Sequence, residues 1–359
     1  MSAAKPRGVL VRAVGDVMLG RRVGEQIGRF GPEFVTALVD DLLAEADLVC
    51  GNLEAPLASG RHDSASLRAD PAAVAALRRF DIVSVANNHI HDCGDDGIDA
   101  TLATLSDAGI RYMGIGDGEE EALRPVVMSA RGLRVGFIGC VSRALVPPRL
   151  ARHRLGELES AVLDEVVAAV RGSVDALILN VHAGNEHVPF PPPSLRARAV
   201  ELCRAGADVV LTHHPHVVGG FERVGASLVW HSLGDFIFDG ETEARRRGGL
   251  LTLEVGKPGP IAFDLTATRM TAELAVAPAP PALAARVLAD VDRVSRTLGK
   301  PGYARRYPWR YLRALAAAQV QSIGAARRRH GASAAAKRAA RLVRYAPAHA
   351  AKLVRGRFM

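Results

Sequence analysis

A layered α/β body ending near residue 278, followed by a basic and mostly helical extension, is the fold class that the sequence predicts. Three observations lead there. Apolar runs of strand length without polar alternation, such as VDALILNVH (174–182) and ADVVLT (207–212), read as strands covered on both faces. Stretches of helical length separate these runs, so β and α alternate before consecutive strands take over. The charge then changes sign. Residues 281–359 carry 18 Lys and Arg against 2 Asp and Glu, whereas residues 1–280 carry 28 against 36.

The elements follow in order. GVLVRAVGD (8–16) reads as a buried strand, and a helical stretch runs from Pro32 to about Ala46. DLVCGNLE (47–54) is a second strand, 71–80 is helical with Pro71 in the first turn, and DIVSVANN (81–88) is a third strand. Residues 97–108 form a short amphipathic helix with Gly109 at its C-terminal cap. Strands at 125–129 and 133–140 turn about Gly132. Helices at 157–171 and 194–206 alternate with the strands 174–182 and 207–212, and 227–239, 249–255 and 262–276 read as strands. The run APAPP (277–281) is a natural boundary between a domain of residues 1–278 and an extension of residues 279–359. The extension reads as helical at 281–298, 303–323 and 331–356, with breaks at Gly299, Pro301, Gly324, Gly331 and Pro347.

Composition narrows the function classes. A chain of 359 residues with 48% hydrophobic and 23% charged residues can bury a full core. Its cysteines, Cys50, Cys93, Cys140 and Cys203, form no CxxC pair, which argues against a disulfide framework or a zinc knuckle. A reducing, cytoplasmic setting fits. Met1–Gly8 lacks the apolar core of a secretory leader, and no run approaches the roughly 18–20 apolar residues of a membrane span. GDDG (94–97) and GIGDG (114–118) read as loops without the context of a dinucleotide or P-loop fingerprint, so no nucleotide cofactor is expected.

Polar residues cluster where the apolar strands end, the edge at which open α/β sheets bind ligands. The clusters are Gly15-Asp16, Gly51-Asn52-Leu53-Glu54, Asn87-Asn88-His89 with Asp92, His182 to Glu186, and His213-His214-Pro215-His216. Each alone has a plain structural reading: Asp caps helices, Glu starts them, and a lone His is more often a satisfied core residue than a ligand. Five such ends converging on one edge are different. Imidazoles, carboxylates and an amide together are the donor set of a divalent transition-metal centre.

The ordered series GDVMLG, GNLEAP, ANNHxxDxG, VHAGNE, HHPHV and SLGDFIF resembles the CapA (poly-γ-glutamate capsule synthesis) family, within the calcineurin-like metallophosphoesterase superfamily, across about residues 8–256. The resemblance implies a sandwich of two β-sheets flanked by helices. It implies one or two divalent ions (Mn, Fe, Zn or Co) on Asp16, Glu54, Asn88, His182, His214 and His216. By the same resemblance His89 is a general acid or an oxyanion contact, with Asp92 orienting it. Asn87, Glu186 and His213 stand on the substrate side. The chain also departs from the pattern: Met18 occupies the position of a usual His ligand, Ala183 that of a Trp, Asp235 that of an Asn, and Thr212 that of a Gly.

Such a centre implies hydrolysis of a phosphoester or of a peptide or γ-glutamyl bond in an anionic substrate, in capsule or polymer biosynthesis. Two other readings stay open: a metal-dependent peptide isomerase or epimerase, in which His89 and His213 move a proton, and a polymer-binding accessory of a synthase. The extension reads either as a solvated helical tail or as a contact for an anionic polymer or peptide. In the latter reading Tyr303, Tyr307, Trp309 and Tyr311 lie near Arg305, Arg306 and Arg310. Peripheral contact with an anionic membrane is a further use of such charge. No nucleic-acid fold signature accompanies it.

Overall fold

The structure is a computed structural model that describes residues 8–60, 67–146, 152–256 and 259–354, the side chains of 259, 261 and 341–354 excepted. The sequence reading of Met1–Arg7 and of residues 355–359 lies outside the described residues. In chain order the strands are β1 (Val9–Val17), β2 (Leu48–Leu53), β3 (Ile82–Ser84), β4 (Arg111–Met113), β5 (Ile115–Gly116), β6 (Val126–Ala130), β7 (Leu133–Val141) and β8 (Arg154–Leu155). They continue with β9 (Ala176–His182), β10 (Val209–His213), β11 (Phe221–Val224), β12 (Ser227–His231), β13 (Asp235–Ile237), β14 (Arg247–Gly256), β15 (Gly259–Met270) and β16 (Val276–Pro278). The helices are α1 (Arg21–Phe30), α2 (Asp40–Ala44), α3 (Gly94–Asp107), α4 (Glu119–Ala122), α5 (Ala161–Arg171), α6 (Pro193–Ala205), α7 (Pro281–Leu298) and α8 (Tyr303–Val354).

Two mixed sheets form the sandwich. The first runs β16-β15-β14-β1-β2-β3-β4 with β13 paired to β1, and the second runs β11-β12-β10-β9-β7-β6. The apolar runs become strands because both of their faces are covered. From β1, Val9, Val11 and Ala13 meet Phe137, Ile178, Leu211 and Trp230 of the facing sheet. The next residue, Val14, is on the other face and packs toward the first helices with Val23, Leu43 and Ile98. A third apolar layer seals the outer face of the second sheet with Leu163 and Val167 of α5 and Leu202 of α6. Each fully buried Val or Leu contributes about 1.5–3 kcal/mol to this arrangement.

The differences from the sequence reading have physical causes. The span 227–239, read as one strand, is two strands in different sheets. β12 pairs with β10 in the second sheet, while β13 pairs with β1 in the first. Between them Ser232 (φ 72°) and Gly234 (φ 71°) take left-handed backbone, which no continuous strand allows. The helical stretch from Pro32 is broken into two 3-10 turns, Pro32–Val35 and Ala37–Val39, before the short α2, and α1 precedes it. Residues 71–80 hold a 3-10 helix, Pro71–Leu77, capped by the Asp70 carboxylate. GDDG (94–97) is the first turn of α3 rather than a loop.

Beyond Pro278, α7 lays Val287 and Val291 on the intersheet core. Gly220 lets it approach, since a Cβ there would stand 2.6 Å from the Ser295 nitrogen. α8 continues through Gly324 and Pro347 and kinks only at Gly331 (φ 83°, ψ −179°). Tyr303, Tyr307 and Tyr311, spaced to share one helical face, are buried against Val188, Phe190, Val294 and Leu298. The aromatic-and-arginine binding surface read from the sequence is therefore absent at the tyrosines, which are core. Trp309 alone of the four aromatics is exposed. No helix among the described residues is long and apolar enough to cross a membrane.

Candidate metal centre

The ends of β1, β2 and β3 from one sheet and of β9 and β10 from the other meet at one edge of the sandwich. Asp16 sits at an irregularity in the β1 ladder, where the register with β2 and with β13 shifts. Such a bulge re-aims a side chain. Its buried carboxylate accepts from Asn52 Nδ2 at 2.8 Å and from the His214 backbone N–H at 3.3 Å. The turn after β10 brings His214 (φ 95°) and His216 (φ 56°) onto the same side, both in left-handed backbone. Non-glycine residues hold that conformation only where their surroundings enforce it, and such positions gather at functional sites.

Glu54, straight after β2, lies at the centre. It is fully buried and neither carboxylate oxygen has a hydrogen-bond partner. Instead its Oε1 stands 3.7 Å from His182 Nε2, 3.7 Å from His216 Nε2 and 3.9 Å from His89 Nε2. His214, its Nδ1 also buried without a partner, lies edge-on to His182 at 4.9 Å between ring centres. Asn88 Oδ1 is 2.7 Å from His182 Nε2. Three groups of possible ligand atoms, each within 4.8 Å, arise: Asp16, Glu54 and His182; Glu54, His214 and His216; and Asp16, His216 and Asp235. A buried carboxylate without a partner is costly on its own, so this donor set fits a divalent cation.

The proton distribution says the same. Burial pushes the Glu54 carboxyl well above its ordinary value; the His216 charge opposes this, while Asp16 and Asp235 push further up. Burial works against charge on His216, but Glu54 and Asp235 beside it prevail and raise its pKa to about 10. His214, buried and next to His216, is pushed down to about 4. Burial and the neighbouring His214 hold His182 neutral, well below the usual imidazole range. Glu54, Asp16 and Asp235 thus gather their negative charge around His216, in the place where a cation would neutralise three carboxylates.

Some predicted residues stand behind the site. Asn87 is fully buried, and its amide is spent within the protein: Nδ2 donates to Asn52 Oδ1 and the Leu53 carbonyl, and Oδ1 accepts from the His89 and Ile90 backbone N–H groups. With two donors and two acceptor positions all used, it shapes the turn that aims Asn88 and His89. His213 is buried, with Nδ1 3.2 Å from Asp16 and Nε2 3.2 Å from Asn180 Oδ1. The Asn87 amide is therefore spent inside the protein, whereas His213 Nδ1 is buried beside Asp16 without a hydrogen-bond partner.

The mouth is built differently. His89 is about one quarter exposed, and its Nδ1 lies 3.1 Å from Asp92 Oδ2. Asp92 is itself held by the Leu67 backbone N–H at 2.8 Å. That contact fixes the ring so that Nε2 faces Glu54. Glu186 is more than half exposed and lies 3.7 Å from His187. Arg245 stacks on Phe238, whose ring packs edge-on against His216. The neighbouring segment is tied to α8, since Asn185 Nδ2 donates to the Tyr307 hydroxyl at 3.0 Å. Further along α8, Arg338 pairs with Glu241 at 2.9 Å, beside the same opening.

The structure adds Asn52, Asp235 and Arg245 to the residues read from the sequence. Asn52 lay inside a recognised cluster, and the buried amide of GNLE was its signal. Asp235 was visible only as a departure within SLGDFIF. Arg245 carried none, being one arginine of ARRR (244–247) in a chain rich in them.

The model of the family described as bacterial capsule synthesis protein PGA_cap matches residues 11–240. The chain is 28% identical over 293 residues to a capsule biosynthesis protein CapA of Bacillus anthracis, covering 73% of this chain and 71% of that protein. It is 24% identical over 263 residues to a PGA biosynthesis protein CapA of Bacillus subtilis, with 70% and 69% covered. A solved calcineurin-like phosphoesterase of Bacillus subtilis superposes with a TM-score of 0.46 at 13% identity, over 79% of this chain and 96% of that one.

Proposed function

The chain belongs to the PGA_cap family of bacterial capsule synthesis proteins, and from that premise we propose that it is a divalent-metal-dependent hydrolase of a phosphoester or a γ-glutamyl-type amide in an anionic substrate. The observation that carries this reading is Glu54, a fully buried carboxylate without a hydrogen-bond partner, ringed by His89, His182 and His216. Asp16, Glu54, Asn88, His182, His214 and His216 would hold one or two ions of Mn, Fe, Zn or Co. What such ions supply when bound is Lewis acidity toward the scissile bond and its attacking water.

The chain's own groups do the rest. His89, set by Asp92 and open to the mouth, delivers or takes the proton on the leaving-group side. Arg245 and the arginines of α8 attract an anionic chain toward the opening, and Glu186 sorts what enters by charge. The buried floor of Val17, Leu53 and Val141 keeps bulk water from the carboxylates. Cys50, Cys93, Cys140 and Cys203 are all free, which supports a cytoplasmic setting.

The test is to load the purified chain with Mn2+ and assay bis(p-nitrophenyl) phosphate and γ-glutamyl-p-nitroanilide beside a Glu54→Gln variant. Release of p-nitrophenol or p-nitroaniline by the wild type, lost in the variant, supports the reading. Bound metal with no turnover of either would shift the protein to an accessory role in polymer synthesis.

A further inference from the structure

Position 18 is where the resemblance places a histidine ligand, and the structure shows what Met18 does instead. Its side chain is fully buried in the apolar layer beside Leu19, Val23 and Leu57. The Sδ accepts from the Gly20 backbone N–H at 3.1 Å. A thioether committed in this way gives nothing to the site, so position 18, just after β1, adds no second donor beside Asp16.

Asp235 is a carboxylate on the strand next to Asp16. It lies opposite Asp16 in the parallel β1–β13 pairing. Its carboxylate is buried, with Oδ1 2.7 Å from His216 Nδ1. Oδ2 has no hydrogen-bond partner; Arg245 Nε is 3.4 Å away, but it too is without a partner, so the two are charge neighbours rather than a bonded pair. The two backbones are locked together beneath this carboxylate. Asp16 N–H donates to the Gly234 carbonyl at 3.0 Å, and a Cβ on Gly15 would stand only 1.8 Å from that oxygen. Asp235 is therefore held at fixed distance from Asp16 by main chain, as a ligand has to be.

We propose that Asp235 is a metal ligand that takes the place left by Met18, so that the ion nearest Asp16 is held by Asp16, His216 and Asp235. This rests on the metal-centre reading above. Exchanging an imidazole nitrogen for a carboxylate oxygen hardens the donor set and moves its preference from Zn2+ toward Mn2+.

The experiment uses the full chain, stripped with chelator and reloaded. Asp235→Asn keeps the shape and the acceptor toward His216 but loses the charge. Outer-shell substitutions at metal sites cost about 10–100-fold in affinity, so a ligand substitution is expected to weaken Mn2+ binding at least about tenfold or to remove one equivalent, read from free Mn2+ by electron paramagnetic resonance. Asp235→Cys gives an independent positive signal. Loaded with Co2+, it should show a thiolate-to-cobalt charge-transfer band that the wild type lacks. Unchanged Mn2+ affinity and stoichiometry in Asp235→Asn, or bound Co2+ without the band in Asp235→Cys, overturns the proposal while leaving the metal centre standing. A wild type that takes up no metal overturns both.

Discussion

His216 stands between Asp16 and Asp235, its Nδ1 3.4 Å from one carboxylate and 2.7 Å from the other, while its Nε2 looks toward Glu54 at 3.7 Å. One imidazole thus touches every buried carboxylate of the site. The arrangement concentrates negative charge that only a proton or a cation can offset. Elemental analysis should find about one to two equivalents of transition metal on the purified wild type. In an Asp16→Ala/His214→Ala double variant that metal should be gone, with the protein still folded by circular dichroism. Equal metal in both would remove these residues from the site.

His89 differs from His182, His213, His214 and His216 by its exposure, and its carboxylate partner Asp92 is partly exposed as well. In a His89→Asn variant, metal content is expected to stay at the wild-type level while kcat falls by about 10²–10⁴-fold. Asp92→Asn should act in the same direction with a smaller fall. A variant that keeps both metal and turnover would show that His89 moves no proton.

Asn87 makes a prediction about folding rather than chemistry. Asn87→Ala leaves the His89 and Ile90 N–H groups and the Leu53 carbonyl without their partner. Each buried group left unsatisfied costs about 1–3 kcal/mol. Urea denaturation of the metal-free protein should therefore show a clear drop in midpoint with little change in slope. An unshifted midpoint would mean that water replaces the amide.

A second titrating cluster, away from the site, sets the acid limb of stability. Burial would raise Glu222, but His231 at 3.0 Å and the two-pronged Arg196 overcome it and hold its carboxyl down at about 2. A carboxyl lowered by folding stabilises fully above its unfolded value near 4.5, and that contribution is lost as pH falls from there toward 2. Buried His231 is lowered instead, so the unfolded chain takes up its proton first and stability begins to decline below about 6.5. Glu222→Gln should lower stability at pH 7 and flatten its dependence between pH 4.5 and 3, measured by thermal unfolding. Parallel curves for variant and wild type would refute this.

Much of the arrangement was legible because it depends on patterns that a chain displays locally. Buried strands announce themselves by unbroken apolar runs, and polar residues at their ends stand out against them. That is how the five polar strand ends could be grouped before any contact was known, and the resemblance to the CapA family then singled out Asp16, Glu54, Asn88, His182, His214 and His216 among them. Asp235 could not, because SLVWHSLGDFIFD carries strand-forming residues throughout. The left-handed backbone at Ser232 and Gly234 that passes the chain from one sheet to the other leaves no periodic trace. The tyrosines of α8 were misread for a related reason: spacing of three to four residues shows that they share a face, not whether protein or water lies against it. Asn87 was told from its neighbours only by the hydrogen bonds that consume its amide.

The contact between Asn185 and the Tyr307 hydroxyl joins two parts of the chain separated by 122 positions. One belongs to the rim of the site, the other to the first turns of a helix that the remainder of the sandwich does not require for closure of its sheets. Two equilibria, docking of that helix and ordering of the rim, therefore draw on a common free energy. By reciprocity, a ligand that favours the ordered rim favours the docked helix by the same factor, and loosening the helix returns an equal penalty to the ligand.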